Sequence, residues 1–148
     1  MLQDSKIIIF LFVAVIFMYS CSNSADSNSE SNSTTIIKGT WNGYSLVEEG
    51  LVERSLSLRV SLDESGGMLY GTYSGLHQVN NSTSTISKTI NGNIKSGTLS
   101  EDSIYIDGGS FYMNGKIKSQ NLEAFINLNF EGTDSTSSYT YNIIFAKE

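Results

Sequence analysis

The sequence predicts an all-β domain of about eight antiparallel strands closing into an up-and-down barrel, with a β-sandwich as the alternative. Three observations lead there. From Ile36 onward apolar and polar residues alternate, and no window has a convincing helical period. The segments between the alternating runs are short, which favours antiparallel neighbours in sequence order. Finally, glycine recurs between two large residues of one strand face: "IKGTW" from Ile37, "LYGTY" from Leu69, "INGNI" from Ile90 and "MNGKI" from Met113. A glycine on an apolar face lets a strand bend sharply or another backbone approach, so these sites predict a curved sheet.

The expected strands are 36–47, 51–62, 68–76, 84–96, 103–107, 110–118, 121–130 and 138–146. In the second, Val52, Leu56, Leu58, Val60 and Leu62 share one face, and Glu53, Ser55, Ser57, Arg59 and Ser61 the other; Arg54 alone breaks the pattern. The fourth contains Asn91-Gly92, a dipeptide common in tight hairpins. A turn there would set Ile90 against Asn93 and Lys88 against Lys95, which is unfavourable pairing. A continuous strand instead aligns Ile86, Ile90, Gly92 and Ile94, and is the consistent reading. The stretch from Ile90, "INGNIKSGTL", is echoed by "MNGKIKSQNL" from Met113. The last two strands align Leu122, Ala124, Ile126, Leu128 and Phe130, then Tyr139, Tyr141, Ile143 and Phe145. "DESGG", "DGG" and "EGTDSTSS" separate strands as turns or loops; with no proline in the chain, Gly, Asn, Asp and Ser must make every turn.

Ahead of the domain, Lys6 precedes an unbroken apolar run from Ile7 to Met18. As a helix it would reach only about 18 Å, short of a bilayer core of about 30 Å. Residues 1–20 therefore read as a secretory signal. "MYSC" follows and ends in Cys21, the single cysteine. This arrangement resembles a bacterial lipoprotein signal, although Met18 and Tyr19 depart from its commonest form. The resemblance implies that Cys21 becomes a lipidated first residue anchoring the protein to the cell envelope. Ser22, next to it, resembles the sorting pattern of outer-membrane lipoproteins. Residues 21–35, rich in Ser and Asn with no aromatic or sizeable aliphatic side chain, read as a flexible tether, leaving 36–148 as the folded domain.

Within that domain, "GTW" at the start, "GTY" at Gly71 and "NGK" at Asn114 resemble calycin barrels, the group of avidins and lipocalins. The resemblance implies the fold without the avidin ligand site. Tyr73 is retained, but the biotin hydrogen-bonding positions correspond to Gly43, Val47, Gly75 and Val79, and Trp41 is the only tryptophan.

Composition narrows the function. A formal charge of −6 with nine Lys and Arg argues against nucleic acid as a partner. One cysteine and one histidine exclude the usual Cys/His metal sites, and no cofactor is expected. His77 follows "GTYSG" near an expected strand end; without a nucleophile motif it reads as an exposed loop residue rather than a catalytic one. Glu48-Glu49, Asp63-Glu64 and Glu101-Asp102 fall at turns, where acids are solvated, so no catalytic residue is expected. An eight-stranded barrel either fills its interior with side chains or holds one small ligand. The inward glycines make room, so the expectation is a non-enzymatic module binding a small, mostly apolar molecule. Trp41 and Tyr73 would line the site, with the hydroxyls of Tyr70, Tyr105 and Tyr112 at its mouth. The alternative is a structural or inhibitory lipoprotein with a filled barrel that meets an envelope protein.

Overall fold

The computed structural model describes residues 37–131 and 136–148. The signal and tether segments and Cys21 lie outside the described residues. The elements are β1 (Gly39–Glu49), β2 (Val52–Ser65), β3 (Met68–Asn80), β4 (Thr85–Asn93), β5 (Ser96–Ser100), β6 (Ser103–Asp107), β7 (Phe111–Lys118), β8 (Asn121–Glu131) and β9 (Thr136–Lys147). They form one antiparallel sheet in the order β2-β1-β9-β8-β7-β6-β5-β3-β4, and β2 also pairs with β3. The sheet therefore closes in a barrel-like ring of sequential neighbours, not in the two stacked layers of a sandwich.

The strand count is nine where eight were expected, and one feature accounts for the difference. β4 and β5 lie along the same edge of β3: Asn93 pairs with Thr72, and Thr98 with Met68. Between these pairs β3 has three residues (69–71) and the other chain four (94–97). The extra residue is a β-bulge, so β4 and β5 together occupy one position of the ring. Ile94 N–H donates to Gly71 O across it at 2.9 Å. Lys95 and Ser96 are exposed in succession, and the inward set passes from Ile90 and Gly92 to Gly97 and Leu99. Asn91-Gly92 is strand, opposite Ser74 and Tyr73, as the pattern of apolar faces required.

Tight hairpins explain why the order is sequential. Ser65 pairs with Met68 around Gly66 and Gly67, whose φ angles of +62° and +79° suit a two-residue turn matching the strand twist. Asn81 shapes the longer β3–β4 turn: its Oδ1 accepts from Thr83 N–H at 3.0 Å and Ser84 N–H at 2.7 Å.

Every strand contributes an alternating inward set. Leu56, Leu58, Val60 and Leu62 of β2 meet Ile104 and Ile106 of β6, Phe111 and Met113 of β7, Leu122, Ile126 and Leu128 of β8, and Ile143 and Phe145 of β9 in one buried core. Burying each such side chain contributes about 1.5–3 kcal/mol. The core cluster packs the interior, and the inward glycines have no open space beside them. A Cβ on Gly43 would sit 2.7 Å from the Phe145 ring, and one on Gly92 would sit 2.9 Å from the Tyr73 hydroxyl. Gly43 and Gly92 thus accommodate a large side chain, whereas Gly71 and Gly75 accommodate the backbone of β2.

Candidate functional site

The two ends of the barrel differ. At the end where β1 begins, Trp41 is fully buried, and its indole N–H donates to Ile37 O at 2.7 Å. Ile37 is itself fully buried, so the two residues plug that end. Trp41 is thus a core residue with its polar atom satisfied, and it also borders a depression of about 420 Å³ with Asn121, Ala146 and Glu148.

The opposite end carries the last residues of β1, β3 and β8 and the first residues of β2, β4 and β9. There the inward parity of β2 carries Arg54, the residue that broke the apolar alternation, because it shares a face with Leu56 and Leu58. The inward parity of β3 carries His77 opposite Leu56, and that of β4 carries Lys88 opposite His77. β8 supplies Phe130; β9 supplies Tyr139 and Tyr141.

His77 sits at the centre of these side chains. It is 3% exposed and lies in a strand, which corrects the reading of it as a loop residue. Its ring centroid is 4.5 Å from Tyr139, 5.2 Å from Phe130 and 5.8 Å from Tyr141. The Arg54 guanidinium carbon is 5.8 Å from the Tyr139 ring centre, and Lys88 Nζ is 4.0 Å from that of Phe130, both within cation–π range. Glu49, at the rim, forms an ion pair with Arg54 through Nη2.

The electrostatics follow from burial. Desolvation lowers the His77 pKa from 6.5, and the charges of Arg54 and Lys88 lower it further, so the imidazole is held neutral. Burial pushes the Tyr141 hydroxyl up to about 12. Three buried polar atoms have no hydrogen-bond partner among the described residues: Arg54 Nε, His77 Nε2 and Tyr141 Oη. All three belong to this cluster. Buried polar groups are nearly always paired, so such a concentration at one end calls for an explanation.

The cluster borders an opening in the wall. The β6–β7 hairpin is short, and its tip is held by Tyr73, whose hydroxyl donates to Gly108 O at 2.7 Å and packs its ring edge-to-face on Phe111. Beyond that tip β4 pairs only with β3, leaving its other edge facing the end of β8. The cleft between them has a volume of about 800 Å³. Lys88, Asn91 and Lys95 line one side, Asn129, Phe130 and Glu131 the other. Lys88 and Phe130 thus belong both to the cleft and to the His77 cluster.

The expected site residues do not form one site. Tyr73 is buried and ties the β6–β7 tip to β3 beneath the cleft. Tyr112 lines the cleft. Tyr70 and Tyr105 lie on the outward parities of β3 and β6, 49% and 38% exposed, away from the interior. Parity puts them outside, since Leu69 and Ile104 beside them face the core. The residues that do assemble were passed over: Arg54 was noted only as a break in the pattern, and Lys88 lies on the same face as Ile86 and Ile90. A cation on an otherwise apolar strand face was the available signal. Among the described residues, no group of three or more His, Cys, Asp and Glu side chains is placed to hold a metal ion.

Comparison with protein families, curated proteins and solved structures finds no match to this chain.

Proposed function

We propose that this protein is a non-enzymatic binding module, held to the bacterial outer membrane by a lipidated Cys21, that takes a small, mostly apolar molecule at the open end of its barrel. The observation carrying this reading is the concentration of unpartnered Arg54, His77 and Tyr141 polar atoms among aromatic rings beside an open cleft. The cleft itself is lined mainly by polar side chains, and the apolar contact comes from Phe130 and the Tyr139 ring packed beside it. The filled interior moves the ligand from the barrel's middle to its mouth. Native mass spectrometry of the protein purified from its own cells tests this: a co-purifying small molecule is expected, and its absence together with a stable protein complex would overturn it. Anchoring is tested by feeding cells labelled palmitate. Incorporation is expected in the wild type and not in Cys21→Ser; equal labelling of both would end the lipoprotein reading.

A second reading has its own observation. Tyr44, Phe125 and Ile144 form an outward apolar patch across β1, β8 and β9, with Ile144 63% exposed. Phe125 and Ile144 border a surface depression of about 770 Å³. An envelope protein covering this wall would make the barrel a structural or inhibitory partner. Ile144→Asp should then dissolve the complex and leave the mouth unaffected.

A further inference from the structure

We infer that the ligand of the open end is an organic anion, a ring-bearing carboxylate or a close analogue, rather than a neutral apolar molecule. This rests on the reading of the mouth as a small-molecule site and specifies the chemistry of that site.

The inward charges at this end are cationic, although the chain as a whole is at −6. Arg54 and Lys88 both lie on inward parities. Among the described residues, the carboxylates near them leave the demand for negative charge unmet. Glu49 is at the exposed rim and engages Arg54 only through Nη2. Glu53 lies on the outward parity of β2 and accepts from Asn80 Nδ2 at 3.0 Å. Glu131 stands at the far border of the cleft. Lys88 makes no ion pair among the described residues; its Nζ lies over the face of Phe130.

The unpartnered atoms agree with the charge. Arg54 Nε carries a hydrogen and can only donate, and a neutral tyrosine hydroxyl or imidazole N–H can donate as well. Donors left open in a partly desolvated site fit oxygen acceptors, and a charged acceptor gains about twice as much from each bond as a neutral one. Around these donors stand the faces of Phe130, Tyr139, Tyr141 and His77, which suit a flat ring. Phe130 and Tyr139 are only partly buried, and Phe130 lines the cleft from which a ligand would enter. The ligand is therefore a flat apolar body whose oxygen anion reaches the Arg54 and Lys88 side.

The test uses two fluorescent probes that share one ring system: 8-anilinonaphthalene-1-sulfonate, an anion, and N-phenyl-1-naphthylamine, which lacks the sulfonate. Binding is titrated on residues 21–148, which carry the whole described barrel, produced without acylation. Arg54→Met and Lys88→Met keep most of each stem and remove the charge; Phe130→Ala removes a shared aromatic wall. Circular dichroism checks that each variant is folded. Lys88 is exposed on β4, so its variant stays informative if Arg54→Met does not fold. The expected result is a loss of about tenfold or more in sulfonate affinity for each charge variant, with the neutral probe changing less than about twofold. Phe130→Ala should weaken both probes. If the charge variants weaken both probes alike, or neither, while Phe130→Ala weakens both, the mouth binds small molecules but not as anions, and the inference is overturned alone. If neither probe binds the wild type, the inference and the small-ligand reading fall together.

Discussion

The two ends of this barrel are built from the same strands but reach opposite solutions for polar groups. At the closed end, every conspicuous polar atom has a partner. The Trp41 indole reaches Ile37 O, Thr40 and Ser61 share a hydroxyl hydrogen bond at 3.1 Å, and Glu148 N–H donates to Thr40 O at 2.9 Å. Glu148 also ties Asn42 and Arg59 by its carboxylate. At the open end, Arg54 Nε, His77 Nε2 and Tyr141 Oη are buried without a hydrogen-bond partner among the described residues, and a second cation, Lys88, stands opposite His77. An unsatisfied buried polar group costs about 1–3 kcal/mol. The closed end thus supports stability, and the open end gives some of it up, as binding sites commonly do.

This contrast can be broken or sharpened by substitution. Trp41→Ala should have the largest effect, removing a fully buried indole and the hydrogen bond to Ile37, at about 3–5 kcal/mol. Urea unfolding followed by circular dichroism measures it, because the only tryptophan is lost in the variant. A loss below about 1 kcal/mol would mean the plug is not structural. Tyr73→Phe comes next. It leaves Gly108 O without its buried donor and frees the β6–β7 tip, for about 1–2 kcal/mol. Faster amide exchange confined to residues 107–112 would locate the effect.

Arg54→Met should change stability by less than about 1 kcal/mol: an ion pair with a rim carboxylate is lost, and an unsatisfied buried Nε is removed. A loss as large as that of Trp41→Ala would show that Arg54 is a structural residue and would erase the distinction between the ends.

The smallest effect is a change of slope with pH. His77 has a folded-state pKa below its ordinary 6.5. Between the lowered value and 6.5 the unfolded chain binds more protons than the native one, so stability rises with pH across that window. The contribution of His77 is complete above about pH 6.5 and is lost as pH falls through the window. His77→Gln should flatten the curve of urea midpoint against pH there; an unchanged slope would mean that the histidine is solvated.

The repeated stretch shows how far local sequence reaches. "INGNIKSGTL" and "MNGKIKSQNL" share their apolar-x-Gly-x-apolar start and their Ile-Lys-Ser continuation. In the second copy Ser119 adopts φ +56°, and Lys118 pairs with Asn121, closing a tight hairpin. In the first copy the chain bulges at 94–96 and runs on as β5, with Lys95 N–H donating to Asp107 O at 2.8 Å. Both copies were legible as strands, and so was the turn after Lys118 in the second; that the first runs on through Ser96–Ser100 was not. That outcome depends on whether a neighbouring strand is present to receive the continuing backbone. The site was legible only in outline. Arg54 and Lys88 were passed over although each is a cation on an apolar strand face, and His77 read as a loop residue because "GTYSG" concealed that β3 runs on to Asn80.

By itself the sequence determined the all-β class, the faces of four strands and the antiparallel order, because a period of two and short turns are local properties. The tertiary structure alone decided that large side chains fill the space beside the glycines, that β4 and β5 share one position, and that six cationic and aromatic side chains gather at one end. Those features depend on which residues from distant parts of the chain stand opposite one another once the ring has closed.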